Sequence, residues 1–408
     1  MQSTPRSNRL HIAFLGRRNA GKSSLINALA NQEVSLGSPV PGTTTDPVFR
    51  AMELLPLGPV VLIDTAGLDD EGALGELRVK RTRAILERTE LAVLIIDATL
   101  GPGDFELGLR RELESRKIPV VGVVNKLDLV GQVPLEEWQA RLGLPLLTVS
   151  AAHRRGIDVL KRRLVESAPA DWEGRALVDG LVRPGDLVYL VTPIDLEAPK
   201  GRLILPQVQT LRDILDHEAT ALVLKENAVE RALARGPRPD LVIIDSQVFG
   251  QISAVLPPDM PLVSFSILFA RHKGDLGLLA QGARRVASLK PGDRVLVAEA
   301  CTHHPVGEDI GRVKIPRWLE KAVGGSLEFE YAVGPNFPPD LSAYALVIHC
   351  GGCMLNRGNM LSRLERLSEE GVPVVNYGVL IAYLHGALER TLSSFSDEVL
   401  HLRENMSE

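Results

Sequence analysis

Apolar residues along this chain come in short unbroken runs, each closed by glycine or polar residues and separated from the next by amphipathic stretches. Leu10–Leu15, Val60–Ile63, Val93–Ile96, Val120–Val124 and Leu146–Val149 are continuous rather than alternating. That pattern predicts strands covered on both faces, as in a parallel sheet. Ser24–Leu29 and Val159–Val165 read as helices. The same rhythm returns with strands over Asp186–Val191, Ala221–Leu224, Leu241–Ile244 and Leu262–Phe269, and helices over Leu211–His217 and Asn227–Arg235. The run Leu262–Ala270 predicts a buried central strand, or an edge that pairs across a dimer. A third series has strands over Arg294–Ala300, Leu346–His349 and Val372–Asn376, with helices over Arg317–Val323, Ser362–Glu370 and Leu380–Arg390. Strand and helix alternate throughout, which predicts three α/β domains with mainly parallel sheets. The Pro-containing break Ala168-Pro169-Ala170-Asp171-Trp172 and the start of the third series divide the chain into 1–168, 169–271 and 272–408.

Composition narrows this picture. A chain of 408 residues is too long for one ordinary core. Its formal net charge of −5 argues against nucleic acid as the main partner, because phosphate binding needs a basic face. No apolar run is long enough to span a membrane, and the polar start MQSTPRSNRL lacks a signal core, so the expected location is the cytoplasm. Three cysteines do not make a disulfide framework; in a reducing compartment they point to metal or redox chemistry.

The clearest chemistry follows the first strand. Gly16-Arg17-Arg18-Asn19-Ala20-Gly21-Lys22-Ser23 matches the phosphate-loop pattern in its strand–loop–helix setting. Glycines let backbone N–H groups converge on phosphate oxygens, and the helix N-terminus adds its dipole. Lys22 is expected to reach the β- and γ-phosphates, and Ser23, followed by Ser24, to ligate Mg²⁺. A second strand ends in Asp64-Thr65-Ala66-Gly67, a carboxylate for the metal's water shell and an amide for the γ-phosphate. Asn125-Lys126-Leu127-Asp128 then offers the Asp128 carboxylate to guanine N1–H and its exocyclic amine, where adenine would be repelled. Ser150-Ala151 supplies backbone for the guanine oxygen. The expected ligand is therefore GTP with Mg²⁺.

The order of these motifs resembles the small GTPases of the translation-factor-like branch. Pro41-Gly42-Thr43-Thr44-Thr45-Asp46 is similar to the switch I segment of GTPases related to MnmE and Era, with Thr45 where that group has arginine. The resemblance implies that Thr44 binds Mg²⁺. Leu68 follows Gly67, so the water-orienting glutamine of Ras-like proteins is missing. Asn19 stands where potassium-dependent members help hold K⁺. Glu76, twelve residues after Asp64, aligns with a carboxylate that orients water in MnmE-like relatives. The implied catalytic set is Lys22, Thr44, Gly67 and Glu76, with slow, K⁺-stimulated hydrolysis.

The middle segment carries no comparable constellation; His217 and Asp245 read as a helix-face residue and a strand-end residue. The last third does carry one. Cys301-Thr302-His303-His304 follows one strand, and His349-Cys350-Gly351-Gly352-Cys353 follows another. Ligands of doubly wound sheets bind beyond strand carboxyl ends, so two neighbouring strands can bring Cys301, Cys350 and Cys353 together. Three thiolates with nearby histidines suit Zn²⁺ or an iron–sulfur cluster whose fourth position is not cysteine. A redox Cys-x-x-Cys pair would leave Cys301 without a role.

Cys301-x-His303, then His349-Cys350-x-x-Cys353, behind an MnmE-like GTPase segment, resembles the HydF family over the whole chain. These GTPases mature FeFe-hydrogenases. The resemblance implies a dimerising middle domain and a 4Fe–4S cluster on Cys301, Cys350 and Cys353, with His303, His304 and His349 as alternatives for the fourth ligand. It also implies a transient two-iron precursor, received from radical-SAM maturases and delivered to apo FeFe-hydrogenase by a homodimer.

Overall fold

The computed structural model describes residues 6–30, 48–65, 84–169, 172, 175–193, 203–300, 309–334, 337–352 and 355–395. The chain forms two compact units, Met1–Glu173 and Gly174–Glu408.

In the first unit β1 (Leu10–Gly16), β2 (Val48–Leu54), β3 (Gly58–Asp64), β4 (Leu91–Asp97), β5 (Val120–Asn125) and β6 (Leu146–Thr148) make one sheet in the order β2-β3-β1-β4-β5-β6. Only the β2–β3 pair is antiparallel. The central strands β1 and β4 are buried along their whole length, because each face of the sheet has its own layer. Leu10, Ile12 and Phe14 share a core with Leu25 and Leu29 of helix Lys22–Ala30 and with Leu160 and Leu164 of helix Ile157–Ser167. Ala13, Leu15 and Ile63 share another with Leu109 and Leu113 of helix Asp104–Ser115. Two-sided burial is what turns a strand into an unbroken apolar run. β2 has no counterpart among those runs: it is a partly exposed edge strand interrupted by Arg50 and Glu53.

The second unit holds two wholly parallel sheets. β7 (Leu187–Val191), β8 (Thr220–Leu224), β9 (Leu241–Ile244) and β10 (Leu262–Ser264) are ordered β10-β9-β7-β8. β11 (Arg294–Glu299), β12 (Glu328–Val333), β13 (Leu346–His349) and β14 (Val374–Asn376) are ordered β12-β11-β13-β14. One continuous apolar core, from Leu177 to Phe395, spans both sheets.

Two expectations require correction. The run Leu262–Ala270 is not one strand. It pairs only over Leu262–Ser264, at the edge of its sheet; the Ser264 side chain then accepts from Ile267 N at 3.3 Å and caps helix Phe265–Lys273. Periodicity cannot separate a buried helix from a buried strand, whereas a serine cap can end one and start the other. Likewise Leu380–Arg390 is two helices, Tyr377–Leu384 and Leu388–Leu392, broken at Gly386 with φ of 69°. Among the described residues, no helix is long and apolar enough to cross a membrane.

Candidate functional site

Parallel pairing puts the carboxyl ends of β1, β3, β4 and β5 on one edge of the first sheet. The loop after β1 turns sharply there. Asn19 has φ of 61° and Gly21 φ of 90°, so the backbone curls left-handed before helix Lys22–Ala30 begins. A Cβ on Gly21 would lie 2.2 Å from Asn125 Nδ2, so only glycine fits between the loop and β5. Lys22 is buried, and its ammonium donates to Gly16 O at 2.9 Å and Arg17 O at 2.7 Å. Ser23 and Ser24 are exposed on the first turn of the same helix. Asp64 closes β3, buried and paired in register with Phe14. This arrangement gathers a cation, exposed hydroxyls and a carboxylate around a helix N-terminus, the chemistry that phosphate and Mg²⁺ require.

Asn125 holds the site together. It is buried, donates through Nδ2 to Ala20 O at 3.0 Å, and accepts through Oδ1 from Ala151 N at 3.1 Å. One side chain thus joins the phosphate loop to the guanine loop. Lys126 takes φ of 67° and pairs with Asp97 at 2.6 Å. Burial works against ionisation of Asp97, yet the bonds from Lys126 and Thr99 outweigh it and hold the carboxyl below its ordinary value. The Ser150 hydroxyl, aided by the nearby Arg155 charge, holds the exposed Asp128 carboxyl below its ordinary value. The acceptor expected for guanine is therefore set before any ligand arrives. Asp97 was not anticipated; its signal is an acid closing the Val93–Ile96 run. The Thr44, Gly67 and Glu76 expectations lie outside the described residues.

In the second unit β11 and β13 are adjacent, with Ala298 opposite His349. Cys350 N donates to Ala298 O at 2.9 Å, and the Ala300 amide reaches Cys350 Sγ at 3.2 Å. Cys350 is buried, and its sulfur accepts this amide in the interior. Ala300, the residue before Cys301 in the chain, and Cys350 thus meet at the ends of adjacent strands. That juxtaposition fits a soft metal centre; Gly352, with φ of 59°, takes a backbone conformation that favours glycine. Cys301, His303, His304 and Cys353 lie outside the described residues; among those described, no group of three metal-ligating side chains comes together.

His349 is described, and both its ring nitrogens are engaged. Arg363 Nε donates to Nε2 at 2.9 Å, which leaves Nδ1 to carry the hydrogen donated to Cys350 O at 2.7 Å. Burial, then the neighbouring Arg363 charge, pushes its pKa down to about 3, so the ring is neutral. Arg363 in turn stacks 3.9 Å from the Phe337 ring centroid. A ligand role for His349 would require the Arg363 bond to open.

Comparison with known proteins adds the following. Residues 177–274 match the hydrogen maturase F dimerization domain, 278–394 the hydrogen maturase F tetramerization domain, and 11–126 a 50S ribosome-binding GTPase family. The tRNA modification GTPase MnmE of Nitrosomonas europaea is 35% identical over 173 residues, 42% of this chain and 37% of that protein. The MnmE of Chromobacterium violaceum is 36% identical over 165 residues, 38% of this chain and 34% of that one. The chain thus spans little over a third of the length of these relatives. Among solved structures, an Aquifex aeolicus Era variant bound to GDP.AlF4- aligns with TM-score 0.35 and 20% identity, covering 53% of this chain and 92% of that one. The G domain of the T. maritima FeoB iron transporter aligns with TM-score 0.31 and 26% identity, covering 39% and 98%.

Two outcomes follow from this geometry. Asn125→Ala removes both ties between the loops and leaves buried partners unmet, a loss of about 1.5–3 kcal/mol; GDP binding should weaken roughly 10- to 100-fold by calorimetry. Asp97 titrates below its ordinary value in the folded state, so between that lowered value and about pH 4 the unfolded chain binds more protons. Its contribution is present at neutral pH and is lost as pH falls through the lowered value. The urea midpoint of nucleotide-free Asp97→Asn should therefore fall short of wild type at pH 7, with the gap closing below about pH 4.

Proposed function

Because the chain belongs to the hydrogen maturase F family and carries an MnmE/Era-like GTPase domain, we propose that it is a GTP-hydrolysing iron–sulfur scaffold for the two-iron precursor of the FeFe-hydrogenase H-cluster. It assembles or carries that precursor and delivers it to apo-hydrogenase, after exchange with radical-SAM maturases. The observation that supports this reading is the Ala300 amide on Cys350 Sγ, which joins the residue before Cys301 to Cys350 across neighbouring strand ends. In functional terms, 1–168 is the GTPase domain, 169–271 the dimerisation domain and 272–408 the cluster domain. The two oligomerisation-domain matches support self-association.

In the GTPase domain, Lys22 exchanges its loop carbonyls for β- and γ-phosphate oxygens when GTP binds, and Ser23 and Thr44 provide hydroxyls for Mg²⁺. Asp64 holds the metal's water, Gly67 bonds the γ-phosphate, and Asp128 with Ala151 selects guanine. Water attacks the γ-phosphorus as the bond to the bridging oxygen breaks, giving GDP, phosphate and a proton. Glu76 orients that water, and Asn19 would help hold a K⁺ ion, which would supply the positive charge that an arginine finger gives elsewhere.

In the cluster domain, Cys301, Cys350 and Cys353 are the thiolate ligands of a 4Fe–4S cluster. His303 and His304 are the side chains available for the fourth iron, while His349 supports the backbone of Cys350. When bound, the cluster would supply an iron whose fourth position is open to exchange.

Anaerobic reconstitution with iron and sulfide should give brown protein with a broad band near about 400 nm, and a light-scattering mass above the 44.3 kDa of one chain. Cys301→Ser should abolish the band; an undiminished band would overturn the ligand set. Colourless protein holding one tightly bound zinc would favour a GTPase adaptor with a structural metal. In a separate assay GTP turnover should be several-fold faster in potassium than in sodium buffer, and equal rates would remove the K⁺ role.

A further inference from the structure

Lys273 ends helix Phe265–Lys273, yet only 3% of it is exposed. Its Nζ donates to Leu355 O at 2.9 Å and reaches Gly352 O at 3.5 Å, with the Phe269 ring centroid 5.9 Å away. A lysine at a helix end can satisfy its charge in water, and burying the ammonium is costly unless fixed acceptors receive it. Here the acceptors belong to the loop that leaves β13 with Cys350. On the other side of Gly351, His349 Nδ1–H holds Cys350 O at 2.7 Å. The carbonyls of Cys350 and Gly352 are thus both drawn to interior donors. A trans peptide points its N–H opposite to its carbonyl, so the Gly351 amide turns away from the interior, and Gly351 is exposed with open space around it.

We propose that Lys273 is a positioning residue for the loop after β13, an interior latch through which helix Phe265–Lys273 holds the Gly352 and Leu355 carbonyls and places its ammonium behind Cys350–Gly352. The latch ties the segment matching the dimerization domain to the segment matching the tetramerization domain. It deepens the iron–sulfur reading above and rests on it. A cluster gains negative charge on reduction, so a nearby cation held out of water favours the reduced form.

The test uses full-length protein. Lys273→Met keeps the stem and its packing while removing the ammonium. In the reconstituted variant the reduction equilibrium should shift at least tenfold towards the oxidised cluster, about 59 mV for one electron, and Lys273→Arg should restore most of it. In metal-free protein Cys350 should be alkylated several-fold faster in Lys273→Met than in wild type, with GTP turnover unchanged. A lysine that merely stabilised the fold would leave the reduction equilibrium alone and speed Cys350 alkylation only in proportion to the fall in global stability measured by urea unfolding, and that result overturns the latch. If Lys273→Met does not fold, the comparison is Lys273→Gln against Lys273→Arg: a shifted potential in the glutamine variant alone supports the latch, and equal potentials overturn it. If wild-type protein takes up no cluster, the iron–sulfur reading fails by itself, and Cys350 alkylation still decides whether Lys273 holds the loop.

Discussion

Parallel strand pairing is the constraint from which both sites follow. Strands that all run one way deliver every carboxyl end to the same edge of the sheet, and the connecting loops collect there. In the first unit that edge gathers the phosphate loop, Asp64, Asp97 and Asn125 within reach of one ligand. In the second, the β11–β13 ladder brings the Ala300 amide onto Cys350 Sγ. Reversing either strand would send its loop to the opposite edge and dissolve the site, whatever the residues in it.

Pairing brings loops near one another but leaves their conformation open. Buried side chains with more than one bond supply the rest. Asn125 bridges the Ala20 carbonyl and the Ala151 amide, so one buried side chain ties the phosphate loop to the loop after β6. In the second unit the same work falls to His349, braced by Arg363, and to Lys273, which between them hold three loop carbonyls. Each of these groups is buried and costly to leave unmet, so each admits few alternative loop conformations. The described parts of both loops are therefore held by the fold itself, and holding them in advance lowers the ordering cost of binding.

The two corrected elements show where a linear reading loses its grip. Leu262–Ala270 is uniformly apolar because it is buried, first as a strand and then as a helix; burial is what the pattern reports, and the Ser264 cap decides the geometry. β2 was missed for the converse reason, since an edge strand exposes half its positions and Arg50 and Glu53 hide the run. Glu328–Val333 escaped in the same way.

The central strands, the phosphate-loop and guanine motifs and the confinement of all cysteines to the last third are written in the order of residues. They are local, and each is a short stretch whose chemistry needs its neighbours in sequence. What the sequence could not carry is any relation between residues far apart along the chain. That Asp97 meets Lys126, that Arg363 occupies a nitrogen of His349, and that Lys273 lies behind the Gly352 carbonyl are consequences of strand order and helix packing. A lysine at position 273 looks like any helix-end cation until the fold buries it, because burial and partnership are properties of the packed chain and have no local signature.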